Sequence, residues 1–531
     1  MDLVGRTAAL AAARRKSDVA GYSLPDRIGD LSALLKRYDA AVARRDQFRT
    51  LLQECYDYVL PDRELFRSHT PGEKRGKEIY DSTATLAVNE FASRMQASIC
   101  PPWRQWSKFV PGPGLPKDQR DSDELLQYLD EQTDLFFSYI NHSNFAIRSH
   151  EAFLDLSVGT GALTLELDEQ GKGFSFESIP PAQLAIEEGP SGVIETTFTD
   201  RKCQVSHLPR LYPGVSLPDA WEKALQDNPI MEVSYVNAVI YEPIKREYFL
   251  IALAKSPQHV LYVRPLGETS PVIVFRWSVI PGETWGRGPV MSALQDIRTL
   301  NKVVEFNLTA AAMNLAPPLT GVSDGVLNPY TVQIMPNTII PVMSNDQANP
   351  SLRPLMTEIR PDLAQFILAD LRQQVRFSLF ADPRRREGPI QSATEVMIED
   401  RDFVQRIGSA FGRLQTEFLE RVINRGVALL RGIGKMAPFR VDGREVTLKH
   451  LSPLARAQDN EELMALRTAL EMTAPFGPQA VQMSFRTESV GEYIGKRAGV
   501  DSSLLRTDAE RDQIMQQVAQ AAAMQQGMPT G

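Results

Sequence analysis

The sequence predicts an α+β protein that is mostly helical, and three patterns lead to this fold class. Apolar residues recur every three or four positions in the first 160 residues and again after residue 285, which is the spacing of helices. Between residues 163 and 277 this spacing changes to short stretches of alternation, which are typical of antiparallel strands. Residues 285–431 then show the order helix, Pro-bounded insert, helix, Arg-rich turn and very long helix. A sheet region flanked by helices is characteristic of the α+β class.

The composition limits the classes of function. With 531 residues, of which 43% are hydrophobic, the chain is long enough for two to four packed regions. Its formal net charge of −8 argues against a basic surface that wraps nucleic acid. Cys55, Cys100 and Cys203 are far apart, which predicts no disulfide framework and no metal site, and favours a reducing compartment. No run of about 18 apolar residues occurs, so we expect no membrane span.

The amino-terminal part is predicted to consist of an arm and four helices. In residues 1–26 the charges follow the apolar part, which is unlike a secretory signal, and we expect a flexible arm. Asp30 is suited to cap a helix that ends before Pro61. The other predicted helices cover about 81–99, 123–141 and 144–158.

The central part is predicted to be a sheet that begins after the turn Gly159-Thr160-Gly161. One or two short helices are expected within 205–226. The predicted strands lie at about 163–167, 174–179, 193–199, 232–241, 247–254, 260–264 and 271–277.

Two helices separated by a Pro-rich insert follow the sheet. The first begins at Gly286-Arg287-Gly288-Pro289, where proline suits a first helical position, and it stops before Pro317-Pro318. The second begins near Pro361 and ends before an Arg-rich turn that contains Pro383 and Pro389.

The third helix after the sheet is predicted to be very long. Ser392 and Glu395 have the spacing of a capping box, and apolar residues continue to about Arg431. A helix over these residues is roughly 58 Å long. Because it exceeds the width of a small domain, we expect neighbouring elements or other subunits to cover its apolar face. That face is formed by Val396, Phe403, Ile407, Phe411, Leu414, Phe418 and Val422. Two short strands, at about 438–441 and 445–449, and a series of helices from about 459 to 526 are predicted to follow it.

The sequence contains no convincing active site. The segment Gly72–Lys77 has one residue too few for a phosphate-binding loop and has Glu78 where a magnesium-binding hydroxyl is needed. The six histidines include no H-x-x-x-H pair, and the carboxylates are scattered. Trp103 and Trp106 follow two prolines, so we predict packing in a corner in preference to stacking on bases. We therefore predict a structural protein without cofactors, with a nucleotide-using enzyme as the alternative.

Four segments carry a resemblance to a known family. They are Leu86-Ala87-Val88-Asn89-Glu90-Phe91-Ala92-Ser93-Arg94-Met95 with Pro102-Trp103-Arg104-Gln105-Trp106; Gly286-Arg287-Gly288-Pro289 with Asp296-Ile297-Arg298-Thr299-Leu300-Asn301; Ser392-Ala393-Thr394-Glu395-Val396; and Ser452-Pro453-Leu454-Ala455-Arg456-Ala457-Gln458. In these segments, and in the order of its elements from about residue 30 to 520, the chain resembles the head-to-tail connector, or portal, proteins of short-tailed phages of the podovirus type.

The resemblance implies a portal fold with wing, stem, clip and crown regions, assembled as a ring of twelve subunits at one capsid vertex. The implied regions are the arm 1–26, the wing 27–288, stem helix 1 over 289–315, the clip 316–360, stem helix 2 over 361–380, the tunnel loop 381–392, the long wing helix with return strands 393–454, and the crown with the tail 455–531.

The resemblance also implies the function and the partners. The ring would be a conduit for genome packaging and ejection, with double-stranded DNA passing through it without sequence-specific binding. The large terminase, tail adaptor and tube proteins, and the major capsid and scaffolding proteins would be its protein partners. The protein would be located in the virion after assembly in the host cytoplasm. Another minor capsid or tail adaptor protein is the alternative.

Arg384, Arg385 and Arg386 are the candidate functional residues, and they lie in the implied tunnel loop. One interpretation is that they are solvated or form ion pairs, for example with Glu387. The other is that they contact DNA phosphates transiently, without sequence preference and more weakly at high salt.

Overall fold

A computed structural model gives the fold of most of the chain. The residues that it describes are 30–63, 66, 72–73, 75–76, 78–116, 122–168, 170–315, 319–321, 352–354, 361–381, 406–436, 446–450, 453–477, 483–485, 490–491 and 493–495. The amino-terminal arm, the arginines at 384–386, the capping box at 392–395 and the predicted strand at 438–441 lie outside the described residues, as do most of the predicted helices after 477.

Helices form the larger part of the described structure. They are α1 (Leu31–Gln47), α2 (Arg49–Val59), α3 (Thr83–Ile99), α4 (Asp123–Asn141), α5 (Phe145–Val158), α6 (Leu208–Leu211), α7 (Asp219–Asp227), α8 (Pro289–Leu315), α9 (Pro361–Ser378), a long helix described over 406–432, and α10 (Pro453–Thr473). The long helix contains a π-helical turn at Gln415–Leu419, after which it continues as Glu420–Gly432.

The strands form antiparallel sheets. They are β1 (Ser107–Pro111), β2 (Thr160–Leu167), β3 (Phe174–Ser178), β4 (Leu184–Glu188), β5 (Ile194–Gln204), β6 (Glu232–Glu242), β7 (Glu247–Lys255), β8 (Gln258–Gly267), β9 (Val272–Arg276), β10 (Leu319–Gly321), β11 (Leu352–Pro354) and β12 (Val446–His450). One sheet has five strands in the order β4-β5-β6-β7-β8, and another has three in the order β3-β2-β9. The pairs β1-β12 and β10-β11 make two smaller sheets.

The first helix begins as predicted and ends earlier than predicted. The Oδ1 atom of Asp30 accepts a hydrogen bond from the backbone N–H of Ala33 at 2.8 Å, which confirms the cap. The predicted single helix is divided at Phe48 into α1 and α2. Helix α1 packs on one face of the five-stranded sheet, where Leu34 and Tyr38 share an apolar cluster with Phe198.

The edge of the three-stranded sheet at β3 is covered by a side chain. Asn144 donates from its amide nitrogen to the carbonyl of Phe176, and its Oδ1 atom accepts the N–H of the same residue, both at 2.8 Å. These two bonds satisfy backbone groups that a strand at a sheet edge leaves unpaired.

The largest apolar cluster joins the long helix to the three-stranded sheet and to α3, α4 and α5. The Phe418 ring is its centre, with centroid distances of 4.7 Å to Phe275 and 5.4 Å to Phe153. Ile407, Phe411, Leu414, Phe418 and Val422 are all buried within this one subunit. We expected neighbouring elements or other subunits to cover this face, and over residues 407–430 helices and strands of the same chain cover it.

Phe411→Asp is expected to lower the free energy of unfolding by more than about 3 kcal/mol. The ring is 6% exposed, so the variant loses an aromatic side chain from the core and buries an unpaired carboxylate. Chemical denaturation measures the change. Ser409→Asp on the same helix is the control, because Ser409 is exposed and the change should stay within about 0.5 kcal/mol. Equal effects of the two variants would contradict the assignment of the buried face.

Candidate functional site

The two helices predicted as the stem pack against each other. Val290 and Leu294 at the beginning of α8 share an apolar cluster with Val375 and Leu379 at the end of α9, so the helices run antiparallel. The short strands β10 and β11 pair beyond the other end of this hairpin, with Leu319 opposite Pro354. The chain thus leaves α8 and returns to α9 at one place.

The beginning of α8 is fixed by a close contact between two glycine motifs, which we call the glycine seam (Gly159, Gly286 and Gly288). The N–H of Gly288 donates to the carbonyl of Val158 at 2.9 Å, and the N–H of Gly286 donates to Oγ1 of Thr160 at 3.0 Å. A Cβ atom on Gly288 would lie 2.2 Å from the Ser157 carbonyl oxygen, and one on Gly286 would lie 2.3 Å from that of Gly159. Only glycine permits this approach of two backbones.

Helices α8 and α9 also hold the segment that leads into α3. Asn301 of α8 donates to the carbonyl of Glu78 at 2.8 Å and accepts the N–H of Tyr80 at 2.7 Å. Arg372 of α9 forms an ion pair with the nearly buried Asp81 at 2.8 Å. Although burial alone raises the pKa of Asp81, hydrogen bonds from Thr83 and Arg372 bring it below its usual value. Asn301 belongs to a segment that carried the family resemblance, and the structure gives it a packing role.

Arg276, at the end of β9, connects the two large sheets to the long helix. Its Nη2 atom donates to Oε1 of Glu417 in the π-helical turn at 2.8 Å, and the Arg276 backbone N–H donates to Oε2 of that carboxylate at 2.9 Å. Its Nη1 atom donates to Glu188 at the end of β4 and to the carbonyl of Thr284. Burial alone lowers the pKa of Arg276, but the two carboxylates raise it above its usual value. We call Arg276, Glu417 and Glu188 the Arg276 cluster.

The predicted DNA-contacting arginines, Arg384, Arg385 and Arg386, are outside the described residues, so their side chains are not placed here. The structure describes the residues on either side of them. Ala381 follows α9 and is buried, and Arg406 is in the long helix beside the end of α9. The structure thus places Arg406 of the long helix beside the end of α9.

The described residues do not form a catalytic or metal-binding constellation. Within the described ranges, no group of three or more His, Cys, Asp or Glu side chains is arranged to hold a metal ion. Asp155 is fully buried, and burial raises its pKa to about 6. Its Oδ1 atom accepts a hydrogen bond from the Tyr56 hydroxyl at 2.6 Å and forms an ion pair with Arg63 at 2.8 Å. Asp155 thereby contributes to the packing between α2 and α5. Among the residues that the structure describes, no helix has the length and apolar character of a membrane span.

The prediction that Trp103 and Trp106 pack in a corner is correct for one of the two residues. Trp106 is 1% exposed and packs on Phe137 and Phe145, as predicted. Trp103 is 75% exposed, so the prediction of packing is wrong for this residue.

Several large apolar side chains on α8 and α9 are exposed to solvent. Phe306 is 60% exposed, with the Lys302 ammonium 4.9 Å from its ring centroid. Leu308 and Met313 on α8 and Ile367 on α9 are also exposed. Exposed apolar side chains that cluster on one element mark interaction surfaces.

Comparison with known proteins adds a family to this geometry. Residues 31–505 match the family described as bacteriophage head to tail connecting protein. The chain is 23% identical to the probable portal protein of Bordetella phage BPP-1, over 80% of this chain and 79% of the relative. It is 21% identical to the portal protein of Salmonella phage epsilon15, over 94% of this chain and 93% of the relative.

Among solved structures, the virion of a native gene transfer agent particle contains a chain that aligns with 73% of this protein and 85% of its own length. The identity is 13% and the TM-score is 0.33, which is too low to support an argument about the fold. The family match, in contrast, extends from α1 to beyond α10. The chain therefore belongs to the bacteriophage head to tail connecting proteins.

Proposed function

We propose that this protein is a phage portal that forms a closed ring of twelve subunits and conducts DNA through its centre. The observation that carries the proposal is the family match over residues 31–505, together with relatives named portal proteins that align over most of their length. As a member of this family the chain is a structural component of a phage particle and not an enzyme, as the sequence predicted.

The regions of the proposed ring follow the predicted boundaries. The wing takes residues 27–288 and 393–454, and the antiparallel helices α8 and α9 are the stem. Residues 316–360 are the clip, and the pairing of β10 with β11 supports a clip that begins and ends at one place on the stem. The crown and the tail take residues 455–531, and α10 begins two residues before this boundary.

The partners follow from the position of a portal in the particle. Double-stranded DNA passes through the ring, the large terminase and then tail proteins bind the clip, and capsid and scaffolding proteins surround the wing.

Contacts between subunits are expected on the stem. The buried face of the long helix is satisfied within one subunit, whereas Phe306, Leu308 and Met313 on α8 and Ile367 on α9 are exposed. Heterologous contacts between two different faces of the same chain produce a ring when the rotation closes. The exposed side chains on both stem helices are suited to such contacts.

We expect the purified protein to form closed rings without nucleic acid. Native mass spectrometry should detect a species of twelve times the chain mass of 59.3 kDa, and electron microscopy should show a central hole. A protein that stays monomeric at micromolar concentration would contradict the proposal. An open or irregular assembly would favour the minor capsid or tail adaptor alternative.

Replacing Arg384, Arg385 and Arg386 together with alanine is expected to leave ring formation intact and to reduce the retention of packaged DNA. The reason is that sequence-independent phosphate contacts come from basic side chains and weaken with salt. The yield of DNA-filled heads at two salt concentrations measures the effect. Arg467, an exposed arginine of α10 paired with Glu471, provides the control Arg467→Ala. Retention equal to that of the parent would show that the three arginines are solvated charges or form ion pairs.

A further inference from the structure

A fully buried carboxylate lies where α2 and α5 pack together. Asp155 of α5 is 0% exposed. Its Oδ1 atom accepts the Tyr56 hydroxyl at 2.6 Å and pairs with Nη1 of Arg63 at 2.8 Å. Its Oδ2 atom is also buried and has no hydrogen-bond partner among the described residues. One of the two oxygens that share the negative charge therefore lacks a donor, which is costly for a buried ionised group.

Arg63 is the partner of this carboxylate that reaches solvent. Tyr56 is 1% exposed, whereas the side chain of Arg63 is 22% exposed. Arg63 lies four residues after the end of α2, and its backbone N–H donates to the carbonyl of Leu60 at 3.0 Å. Its Nη1 atom also donates to the carbonyl of Glu151, one turn earlier in α5 than the carboxylate, at 2.7 Å. The segment 60–63 therefore closes over the carboxylate, and its departure from α5 would admit water.

The residue with the buried carboxylate is also connected to the packing around α8. The carbonyl of Asp155 accepts the N–H of Gly159 at 3.1 Å, where α5 ends at the glycine seam. On the other side, Leu52 and Val59 of α2 share an apolar cluster with Val290 of α8. A change in the contact between α2 and α5 therefore reaches the packing at the beginning of α8.

Burial and the neighbouring groups act on the Asp155 carboxyl in opposite directions. Burial has the largest effect and raises its pKa, Arg63 and the Tyr56 hydrogen bond lower it, and Glu151 raises it, so that the pKa is about 6 in place of the usual 3.8. Arg63 and Glu151 are the charged side chains that act on Asp155 among the described residues. Helices α3 and α8 also pack on α5 but add no charge that acts on this carboxyl within the same residues.

We propose that Asp155 and Arg63 form a proton-controlled latch between the segment 60–63 and α5. When Asp155 carries a proton, the carboxyl group is neutral and the segment stays closed over it. When the proton leaves, the oxygen without a partner becomes charged, and opening of the segment allows water to solvate it. The latch is a property of one chain and does not depend on the proposed portal function.

The closed latch binds a proton more tightly than the open one. The pKa of the closed carboxyl group is about 6, whereas a hydrated aspartate has its usual value of 3.8. Opening therefore becomes more frequent as the pH rises from about 4 to about 6, and it is constant above this range. Between pH 5 and pH 7 the open fraction should rise about tenfold.

His150 of α5 gives the opposite direction. Burial lowers the pKa of His150 below its usual value. Its protonated form is therefore disfavoured in the packed site, and its titration would increase opening in acid. An increase in opening from pH 5 to pH 7 consequently reports on the carboxyl group and not on this imidazole.

Hydrogen exchange of the backbone amides in the segment 60–63 measures the open fraction. The purified full-length chain is labelled at pH 5 and at pH 7, and each rate is divided by that of an unstructured peptide at the same pH. We expect the corrected rate of the parent to be about tenfold higher at pH 7. Asp155→Asn is neutral at both pH values and similar in size, so it should keep the slow rate at both. His150→Gln is the matched control on the same helix and should keep the tenfold rise of the parent.

Tyr56→Phe tests the latch with the carboxylate in place. The hydrogen bond from the Tyr56 hydroxyl lowers the pKa of Asp155, so its removal should move the midpoint of the exchange curve to higher pH. This variant keeps the proposal testable where Asp155→Asn does not fold. A corrected parent rate that is constant or falls from pH 5 to pH 7 would overturn the latch, and so would a tenfold rise that persists in Asp155→Asn. An unchanged midpoint in Tyr56→Phe would assign the response to another group and overturn it as well.

Discussion

Replacing Arg276 with methionine is expected to lower the free energy of unfolding by about 3–5 kcal/mol, the range for removal of one partner from a buried ion pair. The guanidinium is buried and binds Glu417, Glu188 and the carbonyls of Thr284 and Gly192. Methionine fills a similar space but leaves Glu188 and both carbonyls without the Arg276 donor, and it leaves Glu417 with the longer contact from Arg413 at 3.4 Å. The two sheets and the long helix lose their common contact.

Arg413→Ala is the matched control for this variant. Arg413 reaches the same Glu417 carboxylate at 3.4 Å, but from a position that is much more exposed to solvent. An exposed pair contributes about 0–1 kcal/mol, so the control should be nearly neutral. Adding Glu417→Gln to Arg276→Met should recover part of the loss, because the buried negative charge is then removed. Equal effects of Arg276→Met and Arg413→Ala in denaturant titrations would refute the importance of the Arg276 cluster.

Gly288→Ala is expected to lower the free energy of unfolding by about 3 kcal/mol, the upper end of the range for overpacking. The added Cβ would lie 2.2 Å from the Ser157 carbonyl oxygen and 2.4 Å from the Val158 carbonyl carbon. Both atoms belong to backbone, so a change of side-chain rotamer cannot relieve the contact. The end of α5 and the beginning of α8 must separate, and the hydrogen bond from Gly288 to Val158 is lost.

Gly412→Ala makes the same chemical change as Gly288→Ala, but we expect it to raise the free energy of unfolding. Gly412 is in the long helix, and an added Cβ there meets no atom within 4 Å. Alanine is preferred over glycine in a helix by about 1 kcal/mol, so this variant should be stabilised. Thermal unfolding of the two variants and the parent measures whether each change stabilises or destabilises the protein. Destabilisation by both, to a similar extent, would show that the glycine seam is not the reason for the effect.

The sequence predicted those elements that are specified by local patterns. Helix α8 starts at Pro289 as predicted, because the proline and the apolar spacing are both within the segment itself. Seven of the strands were predicted within a few residues for the same reason. Strand β4 (Leu184–Glu188) was missed, since a five-residue strand with a polar end has almost no periodic signal. The π-helical turn at Gln415–Leu419 was also missed, because an apolar face continues through it without interruption.

The contacts that organise the site join distant parts of the chain, and this is why the sequence did not predict them. Gly159 was interpreted as a helix-ending turn and Gly286-Arg287-Gly288 as a helix start, each correct locally. Nothing in either motif indicates that they touch. In the same way, Arg276 and Glu417 are ordinary charged residues in the sequence, and only the fold makes them partners. Phe380 adopts a left-handed backbone conformation, with a φ of +57°, and nothing in the sequence predicts this conformation for a phenylalanine.

The covered positions at the two edges of the three-stranded sheet have a consequence for how separate copies of the chain meet. Asn144 occupies the outward N–H and carbonyl of Phe176 in β3, and Glu417 occupies the outward N–H of Arg276 in β9. A newly made subunit therefore does not offer these positions as a template for strand addition. Pairing of exposed strand edges between chains is a route to fibrous aggregates. Separate copies of the chain are thereby protected from edge-to-edge pairing at these two positions. We expect a variant that lacks the Asn144 amide to shorten the time for which unassembled subunits stay in solution.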